Sequence, residues 1–406
     1  MKPLVVIAIG GNSLITDPEH MSVVDQYRAA GETASNIAPI VEAGNRVVVT
    51  HGNGPQVGFI LLRSELTRDV LHQVPLANCV ADTQGSIGMQ IAQSLQNASE
   101  RLGSEQQVVA IVTQVLVDPD DPSFANPIKP IGPFMNEAEA RQRADKDGWA
   151  IAEDANRGWR RVVPSPTPLE IVEMPVIRAL VDNGTIVVAA GGGGIPVIRK
   201  PDGSLRPRPA VIDKDTASSL LARELKANVL VFSTDVDKVS LHLGTPEQTE
   251  IDRMSVAECR RYLDEGHFAA GSMRPKIEAA IAFLEAGGDR VIITQPHHLE
   301  AEHHRHRDHR EDRQRRGDPQ QVHRRGAHFL QVHVGGHGLV GPRLAGAHQT
   351  AEGGPESGEL GQRDVDEEDL VDVVRTVVGG LQRHDEHVAD NLEPARVSVR
   401  GPPVVP

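Results

Sequence analysis

The chain has few of the residues that mark several common protein classes. Only two of its 406 residues are cysteine, Cys79 and Cys259, which excludes a disulfide-stapled fold and fits the reducing cytoplasm. The apolar run at the N-terminus, LVVIAI, is too short to cross a bilayer and has no signal-peptide cleavage site after it. A net charge of −14 disfavours nonspecific binding to nucleic acid. We therefore expect a cytoplasmic protein with neither a membrane nor a nucleic-acid partner.

Glycine, by contrast, is abundant where apolar strands end. The segments VVIAIGGN at 5–12, VVVTHGNGPQVG at 47–58 and IVVAAGGGGIP at 186–196 each run from a predicted strand into a glycine-rich loop. No G-x-x-x-x-G-K-[ST] loop is present, and none of the three loops has the G-x-G-x-x-G spacing of ordinary dinucleotide binders. A single loop of this kind is more often a simple turn. Three together favour an anion site at the edge of a parallel sheet, where backbone N–H groups converge.

Alternating apolar and amphipathic segments predict the fold class. Strands are predicted at 4–9, 46–50, 108–115, 186–190, 229–233 and 290–294, and helices at 25–43, 57–67, 83–102, 214–225, 256–265 and 276–286. This alternation predicts an α/β protein, a three-layer αβα sandwich with a central, mainly parallel sheet. Residues 118–163 break the pattern with many Pro, Asp and Asn residues and no clear strand, so we predict a protruding flap subdomain there.

The chain changes character at about residue 296. Residues 296–406 hold most of the 18 histidines, contain no Lys, Ile, Tyr, Trp, Met or Cys, and are rich in Arg, Gly and Pro. Out-of-frame translation of G/C-rich DNA gives such a composition, and a mixed-charge run of this kind offers no core. We therefore predict a catalytic domain over 1–295 followed by a frameshifted or disordered tail. A His-rich metal site and a basic nucleic-acid arm are the less favoured alternatives.

Four lysines fall in loops or at predicted helix starts, which favours anion binding over a role in solubility: Lys129, Lys214, Lys238 and Lys276. In the segment VIDKD, Lys214 opens a predicted helix between Asp213 and Asp215, which could hold its ammonium in place. An N-cap Asp followed by an exposed Lys is an equally open interpretation. His51 has no evident catalytic partner and is interpreted as structural.

These motifs, taken together, resemble the carbamate kinases of the amino acid kinase superfamily. The resemblance runs collinearly from residue 1 to about 295. It rests on GGN at 10–12, HGNGPQVG at 51–58, TQGSIG at 83–88, TQVLVDPDDPSFANPIKPIGPF at 113–134, GWRRVVPSP at 158–166, VIDKD at 211–215, TDVDKV at 234–239 and GHFAAGSMRPKIEAA at 266–280. It implies interconversion of ATP plus carbamate with ADP plus carbamoyl phosphate, with ATP made in arginine fermentation by the arginine deiminase pathway. It also implies Mg²⁺ bound with the nucleotide and a homodimer.

The resemblance also implies roles for particular residues. Residues 1–185 would form mainly the substrate half, with the carbamoyl group held by Gly10, Gly11, Asn12, Gly52, Asn53 and Gly54. Residues 186–295 would form mainly the nucleotide half, with Asp235, Val236, Lys238, Met273 and Lys276 along the nucleotide. The catalytic residues would be Lys129 from the flap, Lys214, Asp215 and Lys276.

Several features depart from the family pattern, including Met89 and Ser240, where the family usually has an aromatic residue. Arg274 stands where the family usually has glycine, and the closing strand that the family places after Thr294 falls in the anomalous tail, which predicts an open sheet edge. Two alternative functions therefore stay open: a nucleotide-binding remnant without catalysis, and a kinase of the same superfamily with another acceptor.

Overall fold

The computed structural model describes residues 2–10, 19–154, 158–236, 238–269 and 271–299, together with the backbone of Phe329–Val332. Residues 1–338 form one compact unit, and residues 339–406 form a second unit that lies outside the described residues. In the described part of the chain, no helix combines the length and the apolar content that a membrane span needs.

Helices and strands alternate along the chain, as the sequence pattern predicts. The helices are α1 (Val23–Glu42), α2 (Gln56–Leu66), α3 (Leu76–Arg101), α4 (Glu137–Asp147), α5 (Met174–Asp182), α6 (Lys214–Leu225), α7 (Val256–Asp264) and α8 (Met273–Glu285). The strands are β1 (Leu4–Ile9), β2 (Arg46–His51), β3 (Val108–Ala110), β4 (Gln114–Val117), β5 (Lys129–Met135), β6 (Ile151–Glu153), β7 (Trp159–Val163), β8 (Pro168–Ile171), β9 (Ile186–Val188), β10 (Ile195–Arg199), β11 (Leu205–Pro207), β12 (Val229–Ser233), β13 (Val239–Leu241), β14 (Thr249–Ile251), β15 (Arg253–Ser255), β16 (Arg290–Thr294) and β17 (Phe329–Val332).

The central sheet has eight strands in the order β15-β17-β16-β12-β1-β2-β9-β3. Every pairing from β17 to β3 is parallel, and only β15 runs antiparallel to its neighbour. Parallel neighbours need long crossover connections, which helices supply here. The predicted αβα sandwich with a central, mainly parallel sheet is therefore confirmed.

Side-chain alternation on β1 shows how both faces of the sheet are buried. Val5, Ile7 and Ile9 pack with α1 and α3 on one face. The alternate residues of the same strand pack with α5, α6 and α8 on the other face. Because successive side chains of a strand point to opposite faces, a strand covered on both sides must be apolar throughout. Each large aliphatic side chain buried in this way stabilises the fold by roughly 1.5–3 kcal/mol.

The flap is present, but it is more regular than the sequence predicts. A three-stranded antiparallel sheet, β5-β7-β6, carries α4 on the flap, and a separate four-stranded sheet, β11-β10-β4-β8, lies elsewhere in the fold. The expectation of a stretch without strands is wrong because prolines and a register shift between Ile131 and Met135 interrupt the period-2 pattern of β5.

Two other predicted boundaries differ from the structure. α3 begins at Leu76 rather than at residue 83. The strand predicted over 108–115 is split into β3 and β4, which belong to different sheets. Gln84 stabilises the break, because its side-chain amide bonds both the N–H and the carbonyl of Thr113.

The edge beyond β16 is also different from the prediction. The backbone of β17, from the anomalous tail, pairs parallel to β16 and antiparallel to β15. The expectation of an open edge after Thr294 is therefore wrong, because a short segment of the tail supplies backbone N–H and C=O groups to the strands on both sides of it. The rest of the predicted frameshifted or disordered tail, from residue 300 onward, lies outside the described residues.

Candidate active site

A cleft of about 320 Å³ opens at the carboxyl ends of the central strands. Loops after β1, β2 and β12, the flap, and the N-termini of α6 and α8 form its walls. Its lining includes Gly10, Gly52, Asn53, Gly54, Lys129, Gly132, Arg160, Gly192, Asp213, Lys214, Asp215, Asp235, Ser272 and Lys276. The site lies where ligands of parallel α/β sheets bind, at the end of the strands where the connections leave the sheet.

The loop after β2 forms one side of the cleft. Asn53 accepts a hydrogen bond of 2.7 Å from the Thr83 hydroxyl through Oδ1, while its buried Nδ2 has no hydrogen-bond partner among the residues that the structure describes. A Cβ on Gly192 would collide with the Asn53 side chain, so only glycine fits opposite it. Asn53 therefore offers an N–H donor in a cleft that is lined by backbone.

His51, just before this loop, is a neutral structural residue. It is 1% exposed, and its Nδ1 lies 2.9 Å from the carbonyl of Gly52. Because a carbonyl can only accept, Nδ1 carries the proton in this bond. Burial lowers the pKa of His51 to about 4; the Gly52 carbonyl opposes this shift, and the charge of Lys214 adds to it. The ring is therefore uncharged at neutral pH, consistent with the structural role predicted from the sequence.

The opposite side of the cleft is formed by the start of α6. Asp213 is the N-cap residue, and its Oδ1 accepts from the backbone N–H groups of Asp215 and Thr216. Its Oδ2 accepts from Lys129 Nζ at 2.7 Å. Burial acts to raise the pKa of the Asp213 carboxyl, but Lys129, the charge of Lys214 and the Asp215 N–H outweigh it and hold that pKa below its ordinary value.

Asp215 holds two lysines at once. Its Oδ1 accepts from Lys214 Nζ at 2.9 Å, and its Oδ2 accepts from Lys276 Nζ at 3.0 Å. All three side chains are largely buried, with exposed fractions of 4% for Asp215, 17% for Lys214 and 9% for Lys276. Of the two interpretations of VIDKD, the N-cap Asp is correct but the exposed Lys is wrong. Among the described residues, the Lys214 ammonium bonds to Asp215, whereas the Asp213 carboxylate accepts from Lys129.

The structure brings most of the predicted catalytic and substrate residues together. The cleft is lined by Lys129, Lys214, Asp215 and Lys276, and by Gly10, Gly52, Asn53 and Gly54. Gly11 and Asn12 lie outside the described residues. Of the predicted nucleotide residues, Asp235 and Lys276 line the cleft, whereas Val236, Lys238 and Met273 are not part of its described lining. Lys238 instead pairs with Glu250 and Asp252. The nucleotide roles of those three residues stay predictions.

Sequence reasoning missed two features of the site. Arg160 adds a fourth cation to the cleft, from β7 of the flap. The adjacent arginines of GWRR were a signal, but only the alternation of β7 decides which of the two faces the cleft. The pairing of Lys129 with Asp213 spans 84 positions, and no local pattern predicts it.

The charges around the cleft determine its chemistry. Three lysines and one arginine line it together with three aspartates. Two of those carboxylates, Asp213 and Asp215, each accept from one or two of the lysines. Because each ammonium has three N–H donors, the lysines can still donate to a ligand, together with backbone N–H groups. Such an arrangement stabilises negative charge on transferring phosphoryl oxygens.

The carboxylates of the cleft also determine how a divalent cation could be bound there. The described residues contain no cluster of three side chains able to hold a metal ion by themselves. Both oxygens of Asp215 accept from lysines, and those of Asp213 accept from Lys129 and from backbone N–H groups, so these residues fit a Mg²⁺ that would be held mainly by nucleotide phosphates and water.

Comparisons with known proteins agree with this geometry. The model of the amino acid kinase family matches residues 3–295. The carbamate kinase-like protein YahI of Escherichia coli is 50% identical over 305 residues, covering 74% of this chain and 96% of that protein. The carbamate kinase of Pyrococcus horikoshii is 46% identical over 303 residues, covering 74% and 95%. The structure of carbamate kinase from Giardia lamblia bound to AMP-PNP is 42% identical with a TM-score of 0.69, covering 74% and 96%. The chain therefore belongs to the amino acid kinase family and, within it, to the carbamate kinases.

Proposed function

We propose that this chain transfers a phosphoryl group between ATP and carbamate, and that it can run from carbamoyl phosphate and ADP to ATP. One observation carries the proposal: three lysines from separate parts of the chain line one cleft opposite glycine-rich loops. The match to the amino acid kinase family over residues 3–295 and the 46% identity to the carbamate kinase of Pyrococcus horikoshii support the choice of substrates.

The chemistry of the acceptor explains why this set of residues is sufficient. Carbamate is already an anion, so its attacking oxygen needs no general base. The barrier comes from bringing two anions together and from charge on the equatorial phosphoryl oxygens, which positioned cations and N–H groups stabilise. Neutral His51, bonded to Gly52, fits a site without proton transfer.

We assign the two sides of the cleft to the two substrates. The loops containing Gly10, Gly52, Asn53 and Gly54 would hold the carbamoyl group, with Asn53 Nδ2 donating to its oxygen. Lys129 would contact the phosphoryl group in transfer. Lys214 and Lys276, oriented by Asp215, would neutralise charge on the nucleotide side.

Three further statements belong to the proposal. Mg²⁺ bound with the nucleotide would neutralise charge between the β- and γ-phosphates. The active form would be a homodimer, as the family resemblance suggests, and light scattering would test this by the mass in solution. The protein would act in the cytoplasm, which its two buried free thiols support.

A coupled assay of ATP formation from ADP and carbamoyl phosphate tests the proposal. The full chain is needed, because β17 joins the central sheet. We expect ATP formation that depends on both substrates and on Mg²⁺. ADP binding without ATP formation would instead support a noncatalytic remnant. Phosphorylation of a different carboxylate in preference to carbamate would support another acceptor.

A further inference from the structure

Arg160 is a cation of the cleft for which the proposed chemistry has no role. It lies on β7, the middle strand of the flap sheet, with its side chain 21% exposed. Its Nε donates to the carbonyl of Gly132 at 3.1 Å, and its Nη1 donates to Asp154 Oδ2 at 3.1 Å. Its guanidinium also lies 5.1 Å above the centre of the Phe134 ring. The side chain is thus fixed at three points within the flap.

These contacts hold the irregular part of β5. The register between β5 and β7 shifts between Ile131 and Met135, and Gly132 has a φ of +72°. Regular ladder bonds are interrupted at such a bulge. Arg160 therefore binds a carbonyl within the bulge itself, three residues from Lys129 on the same strand.

Helix α2 also packs closely against Gly132 of the bulge. A Cβ added to Gly58 of α2 would come within 2.9 Å of the Gly132 Cα. The helix and the strand are therefore in close backbone contact, which leaves little freedom for β5. The path of β5 then decides where the Lys129 ammonium can reach, as its 2.7 Å bond to Asp213 across the cleft illustrates.

We propose that Arg160 is a positioning residue, which holds the β5 bulge so that Lys129 reaches the phosphoryl group in transfer. The kinetic part of this inference rests on the proposed function. The planar guanidinium binds Gly132 and Asp154 at the same time, whereas a lysine ammonium at the end of a flexible chain cannot reproduce this fork. Charge alone is then insufficient at this position.

The test is a double-mutant cycle in the full chain with R160K, R160Q, K129A and K129A/R160Q. We expect R160K and R160Q each to lower kcat about tenfold, because small displacements of a catalytic group are costly, while the KM for ADP changes less than about twofold. In the K129A background, R160Q should lower kcat by less than about twofold further. Effects that multiply in the double variant would overturn the inference, since Arg160 would then act on the substrate by itself.

Arg161 offers a matched control. It is the next residue of the same strand, but its guanidinium lies 4.8 Å from the Trp149 ring centre and lines a separate small cavity of about 80 Å³ between α2 and the flap. We expect R161K to keep kcat within about twofold of the wild type. An equal loss of kcat in R161K and R160K would mean that any change in β7 disturbs the flap, and would also overturn the inference.

Hydrogen exchange separates this inference from the proposed function. In the full-length R160Q protein, the amides of the non-proline residues of 129–135 should exchange faster than in the wild type, while those of the central strand β1 stay unchanged. Unchanged exchange at 129–135 would overturn the positioning role whatever the activity. A wild-type protein without ATP formation would refute the proposed function and leave the exchange result to decide on Arg160.

Discussion

Lys129 Nζ and Asp213 Oδ2 lie 2.7 Å apart, so an ion pair joins the flap to the first turn of α6 across the cleft. The pair is partly exposed, with 33% of the Lys129 side chain and 22% of Asp213 accessible. Exposed ion pairs contribute little to stability, typically below about 1 kcal/mol. This ion pair therefore serves mainly to position the Lys129 ammonium and adds little to the stability of the fold.

Replacing Lys129 with alanine should reduce turnover much more than nucleotide affinity. Loss of one cation from a phosphoryl-transfer site typically lowers kcat by about 10²–10³-fold. We expect this loss in the coupled assay, with the dissociation constant for ADP, measured calorimetrically, within about threefold of the wild type. Lys146, an exposed lysine of α4, gives the control K146A. Equal losses of turnover and ADP affinity in K129A would contradict the assigned role.

The two oxygens of Asp213 can be tested separately. Asparagine caps a helix about as well as aspartate, so D213N should keep the cap and lose the charge, while D213A should also lose the cap, at a cost of about 1 kcal/mol. We expect urea unfolding at pH 7 to rank wild type, D213N and D213A in falling stability.

The charge of Asp213 also predicts a pH dependence. The pKa of this carboxyl is lowered in the folded state, so the unfolded chain takes up its proton first as the pH falls. The stability due to the carboxylate is then complete above its ordinary pKa of about 3.9 and is lost as the pH falls through the lower folded value. The stability difference between wild type and D213N should shrink in that acid range. A constant difference would show that the pKa of Asp213 is the same in both states.

The lowered pKa of His51 predicts a second pH dependence of stability, over a different pH range. Its folded pKa of about 4 lies below the ordinary 6.5, so between these values the unfolded chain binds the extra proton. Stability should therefore rise with pH across this window, by up to about 3 kcal/mol. In H51Q this rise should be smaller by that amount, as measured by urea unfolding between pH 4.5 and 7. The control is H72Q, which makes the same substitution at a histidine that is exposed.

The backbone contact between α2 and β5 should not tolerate a methyl group. In G58A, the new Cβ would lie 2.9 Å from the Gly132 Cα, closer than real Cβ contacts allow. We expect a shift of the flap and about a tenfold or greater loss of kcat. G85A is a matched control, because a Cβ added to Gly85 of α3 would meet no atom of the described residues within 4 Å outside the helix's own backbone. It should keep full kcat and gain about 0.5–1 kcal/mol of stability from the better helix propensity of alanine.

The strand β17 should be necessary for a stable sheet. Gln331 pairs with Ile292 of β16 on one side and Arg253 of β15 on the other. Proline has no N–H for such a ladder. In the full chain, Q331P should lower the melting temperature by several degrees, since a loss of about 3 kcal/mol is usual for proline within regular structure. Q331T, which keeps the N–H, should melt like the wild type. The same melting temperature in both variants would show that β17 does not stabilise the sheet.

Several elements could be predicted from local sequence because their patterns are complete within one segment. α6 and the strands β12 and β16 begin and end where the sequence pattern predicts. The flap strands could not be predicted, because a bulge and several prolines disturb the alternation of β5 and because pairing between distant strands stabilises them. Gln84 illustrates the same limit, since its bonds to Thr113, which lies between β3 and β4, join residues 29 positions apart.

The sequence by itself determined the glycine loops, the lysines at helix starts and the resemblance to carbamate kinases, because each is a property of a short segment. The tertiary structure alone decided which carboxylate holds which lysine, that Arg160 and not Arg161 lines the cleft, and that the tail contributes a strand to the sheet. These are relations between residues far apart in the chain. Their physical basis is the direction of each side chain on a folded strand or helix, which only the assembled sheet and flap determine.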